Sequence, residues 1–266
     1  MGCRLKTGAS LHGVTILAMT VVLVHGNPES DAIWGPLIDA LGRRDVVRLS
    51  PPGFGAPLAD GFSATYVAYR DWLENELEVM AEPVDLVGHD WGGVHVVNVM
   101  MHRPELVRSW ASDIVGVFDV DYVWPEMAQA WRTPGKGERL VENMLGGTVQ
   151  DRAAIWAALL PEDIATSMAQ AQGPEMGWAT LQLYRSAGEP GDMAEVGGGL
   201  ARAAARPGLS LLATADPYVG SEEIRRRAAG RAGASTEVLD GLDHWWMVQD
   251  PARGARALSR FWESLD

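Results

Sequence analysis

Apolar runs separated by turn-forming clusters recur along this chain in the order strand, loop, helix, strand. Val14 to Val24 is β-branched and apolar, and Val46-Val47-Arg48-Leu49 runs into Ser50-Pro51-Pro52-Gly53-Phe54-Gly55, a stretch rich in turn residues. Helical spacing follows over Tyr66 to Met80, where Trp72, Leu73, Leu77 and Val79 stand among acids. Val84-Asp85-Leu86-Val87 reads as a buried strand, Gly93 to Met101 as a helix that ends near Pro104, and Val107 to Ile114 as a further strand. Such alternation predicts an α/β fold, a mostly parallel sheet flanked by helices on both faces.

From about Gly116 to Ala204 the rhythm changes. Helical segments bearing Trp and Met, with Pro and Gly between them, show no strand pattern, and Gly197-Gly198-Gly199 closes the region. Strand periodicity returns at Leu209 to Ala213, and Ser221-Glu222-Glu223 opens a helix with a polar cap and acids in its first turn. A strand near Thr236 to Leu239 and a last helix begun by Asp250-Pro251 complete the pattern. One sheet interrupted by an inserted helical cap is the simplest account, with residues 1–116 and 205–266 as the core domain and 117–204 as the cap. There is no internal repeat and no low-complexity tract.

Composition narrows the function classes. With 266 residues, 47% hydrophobic and 21% charged, the chain can bury one sizeable core. A formal charge of −13, with basic residues dispersed, argues against nucleic acid or an anionic membrane as a partner. The single cysteine, Cys3, rules out an intramolecular disulfide and a Cys-based zinc site, so the cytoplasm is the expected compartment. Arg4 and Lys6 before an apolar run imitate a signal peptide but lack a small-residue cleavage site. Met1-Gly2-Cys3 imitates a myristoylation site, yet Lys6 stands where Ser or Thr is wanted. A monomer and a homodimer are both compatible with the sequence.

Candidate chemistry centres on Gly88-His89-Asp90-Trp91-Gly92-Gly93, which joins the strand at Val84 to the helix at Gly93. A nucleophile raised above a sheet on a sharp strand-to-helix turn needs small residues two positions before and after it, and Gly88 and Gly92 supply them around Asp90. A glycine-rich turn with an Asp helix cap is the plainer alternative. Against it, an acid and a histidine arrive later in the required order: Asp216 after the strand Leu209 to Ala213, and His244 after the next strand. Asp113, at the end of the strand that follows the turn, is a second candidate for the acid. His89 and His95 lack ligand spacing and a carboxylate partner, so no metal site and no cofactor are expected.

On these residues the sequence resembles the α/β-hydrolase superfamily over nearly its whole length, and within it the branch with an Asp nucleophile, the epoxide hydrolases and haloalkane dehalogenases. Four stretches carry the resemblance: His25 to Ser30 (HGNPES), Gly88 to Gly93 (GHDWGG), the Asp216 region, and Asp243 to Pro251 (DHWWMVQDP). The resemblance implies that Asp90 displaces a leaving group at saturated carbon to give an alkyl ester. His244, oriented by Asp216, then activates water to hydrolyse it. The backbone N–H groups of Trp91 and Asn27 are the implied oxyanion donors. Two departures stand out: Ser50 occupies a position where the family usually has Asp, and only 24 residues precede His25, which implies a sheet shortened at its N-terminal edge. Met19, where the family-like sequence begins, is an alternative start.

The same resemblance leaves two chemistries open. Epoxide opening needs an acid for the departing alkoxide, and the family provides it from two cap tyrosines, a role that falls to Tyr184 and, at a looser offset, Tyr122. A departing halide instead needs N–H donors, and dehalogenases take them from the Trp after the nucleophile and an Asn in the HGNP motif, here Trp91 and Asn27. Trp91 is common to both branches. Asn27 favours the dehalogenase, whereas Glu29-Ser30, the full GHDWGG, Tyr184 and His244-Trp245 favour the epoxide hydrolase, and by a narrow balance the latter is expected, with a small apolar molecule as substrate. A noncatalytic fold that binds a small apolar ligand is the alternative from another class, and the retained Asp90, Asp216 and His244 argue against it.

Overall fold

The computed structural model describes residues 19–195 and 198–265. Its six strands are β1 (Val21–Val24), β2 (Val46–Leu49), β3 (Val84–Gly88), β4 (Val107–Ser112), β5 (Gly208–Ala213) and β6 (Ala234–Leu239). They form one sheet in the order β2-β1-β3-β4-β5-β6, and every pair is parallel. The expected strand over Val14 to Val24 is observed at Val21–Val24, its earlier part up to residue 18 lying outside the described residues, as do Cys3, Lys6 and Gly197. The strand expected up to Ile114 stops at Ser112, which leaves Asp113 in the loop beyond the strand end.

Both faces of the central strands β1, β3, β4 and β5 are almost wholly buried, as parallel strands require, while the edge strands β2 and β6 are partly open. Along β1, Val22 and Val24 join the core beneath α2 (Tyr66–Glu78) and α3 (Trp91–His102), while Val21 and Leu23 join a second core beneath α1 (Gly35–Leu41) and α12 (Pro251–Glu263). All four side chains are fully buried, worth ~1.5–3 kcal/mol each, which fixes so short a strand centrally in the sheet. Helix starts follow the expected chemistry: Thr65 accepts from the Ala68 amide, Ser221 from Ile224 at the head of α10 (Glu222–Arg231), and Asp250 from Arg253 with Pro251 at the first helical position.

Among the described residues between β4 and β5 there is no strand. Six helices fill the interval: α4 (Glu126–Arg132), α5 (Lys136–Leu145), α6 (Val149–Trp156), α7 (Glu162–Ala171), α8 (Pro174–Ser186) and α9 (Pro190–Met193). The remaining helix, α11 (Trp246–Gln249), follows the His244 loop. Polar ties join the insertion to the loops at the C-terminal edge of the sheet: Leu58 N–H donates to Glu175 Oε1 (2.8 Å), Tyr66 N–H to Ser186 Oγ (2.9 Å) and Gln172 Nε2 to the Pro28 carbonyl (2.7 Å). No helix among the described residues is long and apolar enough to cross a membrane.

The chain reverses sharply where β3 meets α3, and two glycines make this possible. A Cβ on Gly92 would lie 2.1 Å from the Val24 carbonyl oxygen, and one on Gly88 would lie 2.5 Å from the backbone of Gly92 and Gly93. Both obstacles are backbone, so neither can swing aside. Gly92→Ala is therefore expected to destabilise the protein by at least the upper end of the ~1–3 kcal/mol range for overpacking, read as a lowered thermal midpoint. An unchanged midpoint would show that the turn can relax.

Candidate active site

Ligand sites of open parallel sheets lie beyond the carboxyl ends of the strands, where the strand order reverses. Here that point is between β1 and β3, and their loops carry Asn27 and Asp90. Asp90 adopts φ 48° and ψ −127°, a left-handed backbone that a non-glycine residue holds only under constraint. Its own N–H donates to Asp113 Oδ1 (3.1 Å), and the Asn27 N–H donates to its Oδ1 (3.0 Å). Gly26 packs against it so closely that a Cβ there would fall 2.4 Å from the Asp90 Cβ. Burial and the negative charge of Glu29 raise the Asp90 carboxyl above its ordinary value, while His244, His89 and the Asn27 amide oppose them. A less solvated, more basic carboxylate is a better nucleophile.

His244 lines the same cavity, and its Nδ1 lies 2.9 Å from Asp216 Oδ2. Asp216 is steadied in turn by the Tyr218 N–H on its other oxygen (2.8 Å). Burial and neighbouring His89 push the His244 imidazole towards the neutral form, but the hydrogen bond and charge of Asp216, with the charge of Asp90, outweigh them and leave it raised. Asp113 makes different contacts: Oδ2 meets His89 Nδ1 at 2.5 Å and accepts from the Trp246 indole at 2.7 Å.

Behind these groups lies a charged layer that the sequence reading missed. His89 bridges two carboxylates, Asp113 at Nδ1 and Glu29 at Nε2 (3.2 Å), so the expectation that it lacks a carboxylate partner is corrected. Glu29 also accepts from the Trp245 indole (2.6 Å) and the Gly26 N–H (3.0 Å). Burial disfavours charge on His89, yet Asp113 and Glu29 override it and hold its imidazole well above the usual value. Burial likewise opposes charge on Glu29, and His89 prevails, holding that carboxyl down at about 2. The His89 ring lies 4.5 Å from that of His244. Glu29, His89 and His244 bring three donor atoms within 4.8 Å of one another, a spacing that a metal ion could use, but both His89 nitrogens are already engaged by carboxylates. His95 is buried, and burial followed by the charge on His25 holds it down at about 3.

The insertion roofs a cavity of about 210 Å³, and its walls include Trp124, Trp131, Met127 and Met144 as well as Asn27, Asp90, Trp91, Tyr122, Tyr184 and His244. Tyr184 lies edge-on to Trp91 with ring centroids 5.0 Å apart. Burial first, then the charge of Asp90, hold its phenol well above the ordinary value. Tyr122 is also raised, by burial and then by Asp90 and Asp216, but its hydroxyl donates to the Tyr218 carbonyl at 2.8 Å. Thr180, absent from the sequence-based candidates, donates to Asn27 Oδ1 at 2.8 Å. Its position four residues before Tyr184, hence on one helix face, was the only available signal.

The chain matches the model of the alpha/beta hydrolase family over residues 21–257. Haloalkane dehalogenase of Mesorhizobium japonicum is 27% identical over 242 residues, covering 81% of this chain and 75% of that protein. Epoxide hydrolase A of Mycobacterium tuberculosis is 26% identical over 297 residues, covering 94% of this chain and 92% of that one. Among solved structures, the DbeA-M1 loop variant of a Bradyrhizobium elkanii haloalkane dehalogenase aligns with a TM-score of 0.72 at 20% identity, covering 94% of this chain and 91% of that one, a likeness of fold.

Proposed function

The chain belongs to the alpha/beta hydrolase family, and on that premise we propose that it opens small apolar epoxides through an Asp90 ester. The observation that carries this reading is Tyr184, a buried phenol kept protonated in the same cavity as the Asp90 carboxylate and His244. An epoxide oxygen leaves as a strongly basic alkoxide and needs a proton. A departing halide does not.

In the proposed reaction Asp90 attacks an epoxide carbon, the C–O bond breaks, and the departing oxygen takes the Tyr184 proton. His244 then removes a proton from water as that water adds to the ester carbonyl, with Asp216 holding the imidazole at Nδ1 and leaving Nε2 for the water. The Asn27 N–H already points at Asp90 Oδ1, where negative charge would develop, and the Trp91 N–H opens α3 beside it. Collapse releases the diol and returns the carboxylate. The helical insertion acts in this reading as a cap that excludes water and supplies apolar walls.

A dehalogenase reading has its own support, Asn27 and Trp91 lining the same cavity as the carboxylate. One panel separates the two. If epoxides are substrates, Tyr184→Phe is expected to slow alkylation by roughly 10²–10⁴-fold, the range for general acids, and Tyr122→Phe by less because its proton is committed to the Tyr218 carbonyl. Halide release that survives Tyr184→Phe, with no diol from any epoxide tried, would establish the dehalogenase instead.

A further inference from the structure

Asn27 presents a puzzle that the proposed reaction does not use. Its side-chain Nδ2 is buried and completes no hydrogen bond, a costly state for an amide donor. The amide is nevertheless held firmly, because Thr180, fully buried on α8, donates to Oδ1 at 2.8 Å and so turns Nδ2 the other way. One turn along the same helix face stands Tyr184, whose ring lies edge-on to Trp91 and which lines the same cavity as Asn27. Nδ2 and the Trp91 side chain therefore stand in the same cavity as the Tyr184 phenol and Asp90.

We propose that Thr180 and Asn27 are positioning residues for Tyr184: the amide fixed by Thr180, together with the Trp91 indole, donates to the phenol oxygen and turns its proton towards the oxygen leaving from the substrate. This rests on the epoxide reading. The balance is complete. As the epoxide C–O bond breaks, its electron pair takes the Tyr184 proton, and the tyrosinate left behind is stabilised by Asn27 Nδ2–H and Trp91 Nε1–H. When water adds to the ester, its two protons end on the diol and, through the regenerated Asp90 carboxyl, on the tyrosinate. Asn27, whose presence suggests a halide site, thus serves the acid.

The test is a double-mutant cycle read by single-turnover alkylation with styrene oxide, with 1-bromobutane in parallel. Thr180→Val, which removes the hydroxyl at nearly constant shape, is expected to slow alkylation by about tenfold, the scale of a lost hydrogen bond. Thr180→Ser should restore it, and in a Tyr184→Phe background Thr180→Val should have no further effect. Equal slowing in both backgrounds, or no rescue by a folded Thr180→Ser protein, would overturn the positioning role while leaving epoxide hydrolysis standing. If wild type releases bromide but opens no styrene oxide, and bromide release falls with Thr180→Val yet persists in Tyr184→Phe, the amide serves the halide and the epoxide reading fails as well. A wild type inert towards both probes overturns both.

Discussion

Asp90→Ala is expected to bring turnover down by at least about 10⁴-fold, to the level of uncatalysed reaction, while the protein stays folded. No neighbouring group can replace the lost nucleophile: Asp113 is held by His89 and the Trp246 indole, and Asp216 by His244 and the Tyr218 amide. The stability cost is small because the side chain's hydrogen bond from Asn27 is worth only ~0.5–1.5 kcal/mol net, and removing a half-buried carboxylate offsets part of it. The backbone N–H still reaches Asp113, so the turn keeps its tie. Product assays for diol and halide, beside a thermal melt, give the two readouts. A folded variant with full activity would remove Asp90 from the mechanism.

The sheet was legible because its signals are local. Fully apolar four-residue runs such as Val21–Val24 need both faces covered wherever they sit, and Gly88 and Gly92 announce a backbone crossing that no side chain could survive. Choosing between two acids was not a local matter. Both Asp113 and Asp216 follow strands, and what separates them is that His89 and Trp246, far apart in sequence, converge on Asp113 and leave Asp216 to His244. Thr180 was invisible for a related reason. A threonine within a helix carries no chemical label, and its contact with Asn27 spans 153 positions of sequence. Tyr122, at a looser offset, reads as a second proton donor beside Tyr184 until the Tyr218 carbonyl is seen to accept its proton.

The buried Glu29-His89-Asp113 chain also explains how a crowded cavity tolerates so many charges. One protonated imidazole between two carboxylates leaves the layer with one net negative charge instead of two, and the carboxylates accept further hydrogen bonds from the indoles of Trp245 and Trp246 and from the Gly26 and Asp90 N–H groups. Breaking such a chain would leave an uncompensated buried charge, which costs more than the intact assembly contributes. Its position matters as well as its charge. With its ring 4.5 Å from His244, His89 opposes protonation of that residue and restrains the rise that Asp216 and Asp90 would otherwise impose.

His244→Gln should separate the two half-reactions and leave a stable covalent ester on Asp90. Alkylation draws on the carboxylate and a proton from Tyr184, neither supplied by the imidazole, whereas hydrolysis needs a base for water. The variant should therefore gain the mass of one substrate per chain, and the added mass should map to the peptide that contains Gly88 to Gly93. The same logic fixes the pH behaviour of the wild type. Only the neutral imidazole can take a proton from water, so ester hydrolysis is lost as pH falls through the imidazole's pKa in the ester, where Asp216 still raises it but the alkylated Asp90 no longer does, and the adduct should persist on the acid side. A serine-type mechanism predicts the reverse, since there the histidine is also the base for the first step and its removal blocks labelling. If folded His244→Gln stays unlabelled by a substrate that the wild type turns over, the two-step ester mechanism is wrong, because nothing else in its first step depends on the imidazole.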